Sequence, residues 1–260
     1  MKAIVMTCDT YRPFTLHMLK TYEKHWPSNT FTFRIPYNED KGDLENKSNI
    51  ELIKSPKHIK HTVLKLLEDI PDEEWIYWSI DDKYLVDINE KKVNKLQKWI
   101  LTQKDPTLAG VKFYSYGNYM RCNCLRYNNK IDEPWEMIET RDYYMIWINH
   151  YVKAGIIRHL FNHFPDTKYP ARKMDSFLRD VKLPEGKKGY VLKENLCVTG
   201  ESTTKGKITQ NCSDSFKSYN MTVPKNFKLS KKTIFRGRDM YSEYPPFQPL
   251  WKQLIKKLKL

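Results

Sequence analysis

The run Trp75-Ile76-Tyr77-Trp78-Ser79-Ile80 is bulky and apolar at nearly every position, and it stops at two adjacent carboxylates, Asp81 and Asp82. A strand with one face in water alternates apolar and polar residues, so a run of this kind has to be buried on both faces. That calls for a sheet covered by helices on each side. The two acids then fall where such sheets bind ligands, just outside the carboxyl ends of their strands. Adjacent carboxylates are costly to bury unless a cation faces them. A divalent metal carrying phosphate oxygens is the simplest such partner. A solvated Asp-Asp turn is the plainer alternative, and the pair alone does not choose between them.

The flanking sequence supplies the covered sheet. Lys2 to Cys8 reads as a first strand, followed by a turn and helix cap at Asp9-Thr10, with Pro13 in the tolerated first helical turn. Met18, Leu19, Tyr22 and Trp26 mark the apolar face of that helix, which Pro27 ends. Phe31 to Ile35 and Ile50 to Ile53 read as strands, with a polar loop from Asn38 to Asn49 between them. A second helix opens at Ser55-Pro56 and carries Ile59, Val63, Leu66, Leu67 and Ile70 on one face. Asn89 is the expected cap of a third, with Val93, Leu96, Ile100 and Leu101 turned inward. Leu108 to Tyr114 is a further strand. Strand and helix therefore alternate over roughly the first 115 residues, which implies a largely parallel sheet. Beyond that, Tyr119 to Tyr127 and Tyr143 to Ile148 read as strands, Tyr151 to Phe161 and Lys173 to Val181 as helices, and the chain past Gly186 as loop-rich.

At 260 residues and 40% hydrophobic, the chain can fill one sizeable core. Mean hydropathy is −0.70, and no apolar run reaches the ~20 residues of a membrane span. The N-terminus enters strand-like sequence at once, so no signal peptide is expected. The five cysteines form no Cys-x-x-Cys pair, and Cys122-Asn123-Cys124 fits same-face strand packing better than zinc. A reducing cytosol follows as the expected compartment. The formal net charge of +14 attracts polyanions, but no nucleic-acid recognition motif has the required spacing, so no nucleic-acid partner is expected.

Three segments carry a more specific signal. Ile4-Val5-Met6-Thr7-Cys8-Asp9-Thr10-Tyr11 followed by Tyr22-Glu23-Lys24-His25-Trp26-Pro27, then Ile80-Asp81-Asp82-Lys83-Tyr84-Leu85, then Met145-Ile146-Trp147-Ile148 with Tyr151-Val152, resemble in order the motifs of bacterial GT-A fold glycosyltransferases that build capsule and lipopolysaccharide glycans. The resemblance spans roughly residues 2–210. It implies an α/β, Rossmann-like, mostly parallel sheet with helices on both faces and an irregular, loop-rich C-terminal third. It divides the chain into a nucleotide-binding half (about 1–115), an acceptor half (about 116–210) and a basic extension (211–260). Two departures stand out: Lys83 occupies the place of a third acid, and Lys173-Met174-Asp175 lacks the Trp that usually precedes the acceptor-side acid.

The resemblance implies a nucleotide-sugar donor, a glycan or lipid-linked glycan acceptor and Mg²⁺ or Mn²⁺. Asp82 would ligate the metal, with Asp81 as second ligand or ribose contact. Lys83 would face either solvent or phosphate. Thr7, Cys8 and Asp9 end the first strand at the same crevice. Tyr11 could stack on the base and Arg12 could pair with phosphate, while plain helix capping accounts equally well for Asp9 and Thr10. Asp175 is the first choice of acceptor base in an inverting reaction, ahead of Glu136, Glu139 and Glu194. Trp135 and Trp147 are candidate acceptor contacts; Trp135, between Pro134 and Glu136, reads as the more accessible one, and Trp147 suits core packing. A nucleotidyltransferase on a related α/β fold is the rival enzyme, although no Gly-rich, basic loop follows the first strand. A basic nucleic-acid-binding protein is the non-catalytic rival.

The C-terminal segment, about 249–260, sets Trp251, Leu254, Ile255 and Leu258 on one helical face, with Lys252, Lys256, Lys257 and Lys259 on the remainder. A helix of this type suits an anionic membrane surface, or packing against protein. A cytoplasmic protein, peripheral on the inner face of the membrane, is the expected placement.

Overall fold

The computed structural model describes residues 1–45, 47–113, 126–132, 135–140, 146–167 and 173–237; for 126–132 and 175 the description covers the backbone alone. The strands are β1 (Lys2–Met6), β2 (Thr32–Tyr37), β3 (Ile50–Lys54), β4 (Trp75–Ile80), β5 (Lys83–Ile88), β6 (Leu108–Lys112), β7 (Arg126–Asp132), β8 (Trp135–Thr140), β9 (His150–Lys153), β10 (Lys188–Leu192), β11 (Cys197–Glu201), β12 (Thr203–Thr204), β13 (Lys207–Ile208) and β14 (Phe235–Arg236). The helices are α1 (Arg12–His25), α2 (Ile59–Leu66), α3 (Glu90–Thr102), α4 (Ala154–Asn162), α5 (Met174–Asp180) and α6 (Gln210–Ser218).

Nine strands form one sheet in the order β3-β2-β1-β4-β9-β6-β10-β8-β7. β1 pairs in parallel with β2 and β4, β2 with β3, and β6 with β10. Only β9 and β8 run against the others. The protein is thus an α/β fold on a mostly parallel sheet.

The pleat explains both cores. Ala3 and Val5 of β1 face the same side as Met18, Leu19, Tyr22 and Trp26 of α1 and Val93, Leu96 and Ile100 of α3. Ile4, between them in sequence, faces Val63 and Leu66 of α2, Ile157 and Leu160 of α4, and Met174 and Leu178 of α5. β4 is buried at all six positions, as its apolar run requires. Neighbouring residues Tyr77 and Trp78 belong to opposite cores. A second sheet, β14-β11-β5, starts directly after the acidic pair. Among the described residues, no helix is long and apolar enough to cross a membrane.

Several sequence expectations need correction. Residues 146–148 form no strand, while Tyr143 to Met145 lie outside the described residues. Tyr151 to Lys153 are strand rather than helix, because β9 fills the slot between β4 and β6. Leu101 is exposed, one position past the apolar stripe of α3. Residues 188–218 carry more strand and helix than the loop-rich expectation past Gly186. β10 lies inside the main sheet, β11 builds the second, and α6 is capped by the Thr209 hydroxyl, which accepts from the Cys212 N–H. Residues 238–260, including the basic segment, and Cys122-Asn123-Cys124 lie outside the described residues.

Candidate active site

The carboxyl ends of β1 and β4 lie side by side, with Met6 paired to Ile80, and the Asp81 N–H continues the ladder toward Met6 O at 3.4 Å. Asn149, fully buried, clasps the turn that follows. Its Oδ1 accepts the Ile80 N–H at 3.1 Å, and its Nδ2 donates to Lys83 O at 3.3 Å and to the Tyr22 hydroxyl at 3.0 Å. The acids are therefore fixed from both sides by a side chain from the start of the neighbouring strand.

The two carboxylates differ in setting. Asp81 is 6% exposed and lies beside Thr7, whose hydroxyl is 2.8 Å from the Thr15 hydroxyl. Burial, and then the charge of Asp82, push the Asp81 carboxyl up to about 8, against the opposing pull of Thr7 and Lys83. Asp82 is partly open to solvent, and its Oδ1 takes the Lys83 ammonium at 2.9 Å. Lys83 is buried, against the solvent-facing one of its two alternatives, and its Nζ also lies 3.7 Å from Glu201 Oε1. Arg236 Nε meets that same oxygen at 2.8 Å. The Ser202 N–H donates to Asp82 O at 2.7 Å and ties the end of β11 to the acidic turn.

Thr7, Cys8, Tyr11, Asp81, Asp82 and Lys83 are thus brought together. The Cys8 side chain is solvent-accessible, and its thiol is pushed up by partial burial and by Asp81. The half-buried Tyr11 ring packs on Phe14 and Phe227, and its hydroxyl is pushed up by burial, Asp81 and Asp82, against the opposing pull of Thr203. Asp9 and Arg12 are engaged elsewhere. The Asp9 carboxylate accepts the backbone N–H groups of Asn38, Glu39 and Asp40, the nearest at 2.9 Å. Burial opposes ionisation there, but these donors and Arg12 hold the carboxyl below its usual value. Arg12 Nη2 reaches Asp9, Pro36 O and Asp40 O. This pair pins the β2–β3 connection over the start of α1.

Trp147 is half-buried and packs where the two apolar cores meet, just past the end of β4. Trp135 is 7% exposed, against the expectation of an accessible ring, because it belongs to the core cluster that holds Leu96 of α3 and Leu192 of β10, with only an edge left at the surface. Asp175 is the second residue of α5. The chain before α5 is anchored near the start of α2, where Lys60 Nζ meets Phe164 O at 2.8 Å. The chain after α5 enters β10, so α5 begins toward the carboxyl edge. Sequence reading missed Asn149, Glu201 and Arg236: nothing local separates a clasping Asn or a buried Glu from exposed ones.

Two adjacent acids fit Mg²⁺ or Mn²⁺ that brings phosphate oxygens as its other ligands, since such ions commonly keep only one or two protein carboxylates. Among the described residues, no group of three or more His, Cys, Asp or Glu could hold a metal by itself.

No protein-family model and no curated protein matches the chain. Among solved structures, it is similar to galactosyltransferase LgtC in complex with donor and acceptor sugar analogues, at 14% identity and a TM-score of 0.40, covering 71% of this chain and 67% of that one. It is similar to a UDP-glucose pyrophosphorylase complexed with UDP-glucose, at 10% identity and a TM-score of 0.46, covering 84% and 98%. It is also similar to the 2-C-methyl-D-erythritol 4-phosphate cytidylyltransferase of Francisella tularensis, at 11% identity and a TM-score of 0.41, covering 84% and 97%.

Proposed function

We propose that this protein is a glycosyltransferase that moves a sugar from a nucleotide-sugar donor to a glycan acceptor, in an inverting, metal-assisted reaction of bacterial surface polysaccharide or lipooligosaccharide synthesis. The observation that carries the reading is the acidic pair: a buried and a half-open carboxylate, clasped at the carboxyl edge of a mostly parallel sheet. A solvated turn would have no reason to bury Asp81 or to be fixed by Asn149.

Asp82, assisted by Asp81, would hold Mg²⁺ or Mn²⁺ against the donor diphosphate. When bound, the ion supplies Lewis-acid stabilisation of the charge that develops on the leaving nucleoside diphosphate. Lys83 offsets the charge of the acids and orients Asp82. Thr7, beside Asp81, favours its charged form. Cys8 and Tyr11 wall the donor side of the crevice, and Asp9 with Arg12 shapes its rim. Asp175 is the base that takes the proton of the acceptor hydroxyl as it attacks the anomeric carbon. Trp147 offers the acceptor an aromatic edge, and the basic segment at 249–260 brings the enzyme to a cytoplasmic membrane surface that carries its acceptor.

The test is a thermal-shift screen of nucleotide sugars with and without Mn²⁺. One donor class should raise the melting midpoint only when metal is present. If no nucleotide sugar does so in either condition, the reading fails.

A further inference from the structure

A pocket of about 300 Å³ lies away from the acidic pair, lined by Trp135, Leu192, Lys92, Lys95, Lys193 and the glutamates 136 and 194. Trp135 starts β8 and Leu192 ends β10; since β8 runs antiparallel to β10, both stand on the carboxyl edge. Lys92 and Lys95 come from the first turns of α3, which starts at that edge directly after β5. The β5–β11 ladder connects the two places: Lys83 opposite Glu201 at the acidic end, Ile88 opposite Cys197 at the pocket end. Five rises of about 3.4 Å make that ladder roughly 17 Å long.

Three features of the pocket point to one ligand chemistry. Its floor, Trp135 and Leu192, is apolar, which suits the C–H face of a sugar ring. The Trp135 Nε1–H is buried and has no hydrogen-bond partner among the described residues, a loss that a hydroxyl acceptor would relieve. Lys92 is neutralised by Glu194 at 2.6 Å and Lys193 by Glu136 at 3.0 Å, but exposed Lys95 has no ion pair among the described residues. One positive charge is therefore left over at the rim.

We propose that this pocket is a subsite for an acidic oligosaccharide: a ring lies over Trp135 and Leu192, a hydroxyl takes the indole N–H, and a carboxylate pairs with Lys95. This deepens the glycosyltransferase reading and rests on it for the ligand's role as acceptor. The length of the ladder then makes the acceptor an oligosaccharide rather than a single sugar.

The test is calorimetric titration of the full chain with tetragalacturonate and with neutral maltotetraose, without donor. Tetragalacturonate should bind about tenfold tighter or more, and Lys95→Glu should remove about tenfold of that affinity. Trp135→Phe keeps the apolar floor but removes the donor, and should weaken both ligands several-fold. Lys95 is exposed and has no ion pair among the described residues, so its variant keeps the test open should Trp135→Phe fold poorly. Equal binding of the two sugars, or unchanged affinity in Lys95→Glu, overturns the proposal. The Mn²⁺-dependent donor shift is measured on the same preparations. A donor shift without acidic-glycan binding removes the pocket and leaves the enzyme reading. Acidic-glycan binding without a donor shift supports the pocket and removes the enzyme reading.

Discussion

Lys83 and Glu201 face each other across the last rung of the β5–β11 ladder, both buried, with Nζ 3.7 Å from Oε1. The same glutamate oxygen receives Arg236 at 2.8 Å. Glu201→Gln leaves two cations in a poorly solvated place with one fewer counter-charge. Breaking a buried pair from one side costs about 3 kcal/mol or more. The expected result is a loss of that order in urea unfolding, with a matching loss of donor binding because Asp82 loses its fixed neighbour. Wild-type stability in Glu201→Gln would mean that the charges are screened by water.

Gly200 lies flat against the Tyr84 ring, and an added Cβ would land inside it. The ring cannot yield, because its hydroxyl is held by Asn211 Nδ2 at 2.7 Å. Gly200→Ala should destabilise by about 3 kcal/mol through overpacking. Tyr84→Leu in the same background should recover part of it. A double-mutant cycle showing less than about 0.5 kcal/mol of coupling would refute the contact.

His17 is fully buried against Phe216 and Tyr84, with Nε2 2.8 Å from the Ser215 hydroxyl. Burial, and then Lys20, lower its pKa from 6.5 to about 4. The unfolded chain therefore binds more protons than the folded one between those values. Stability from this group is fully present above pH 6.5 and is lost as pH falls toward 4. The loss amounts to about 3 kcal/mol at most. Unfolding free energy measured across that range should slope upward with pH, and His17→Gln should flatten the slope. An identical slope in both proteins would assign the effect elsewhere.

Asp82→Asn and Asp175→Asn should fail differently. In the proposed reaction the first removes a ligand for the metal-diphosphate, so the Mn²⁺-dependent donor shift disappears and turnover falls by about 100-fold or more. The second, in that reaction, removes the base that acts on the acceptor, so donor binding survives while transfer is lost. Full turnover in Asp82→Asn contradicts the metal assignment. Parallel loss of donor binding in Asp175→Asn contradicts the assignment of the base.

Lys252, Lys256, Lys257 and Lys259 should contribute about 1 kcal/mol each at an anionic surface. Co-sedimentation with anionic vesicles should exceed that with neutral ones and fall as salt rises. Deleting residues 250–260 should spare transfer to a soluble acceptor and reduce it on a lipid-linked one. Equal binding to both kinds of vesicle counts against a membrane role.

Much of this architecture is written locally. The Trp75–Ile80 run has no polar face to give to water, so it had to become an interior strand, and β4 is that strand. Asn89 caps α3 through its own side chain, which accepts the Lys92 N–H, and Pro13 stands in the first turn of α1 as its missing N–H permits. The place of Asp81-Asp82 at a carboxyl edge follows from the same local pattern. What the acids meet there does not. Lys83-Tyr84-Leu85-Val86-Asp87-Ile88 became a strand only because Cys197–Glu201 pairs with it from far along the chain, and that register decides that Glu201 faces Lys83. Asn149 is one polar residue among many until β9 enters the sheet beside β4 and carries it to the acidic turn. Tyr151-Val152-Lys153 shares the helical spacing of α4, yet the unpaired edges of β4 and β6 claim it as strand. Side-chain periodicity is a property of neighbours in sequence, so it fixes which segments are strands or helices and which face is apolar. The partner of a buried charge is a property of neighbours in space, and only the packed chain assigns it.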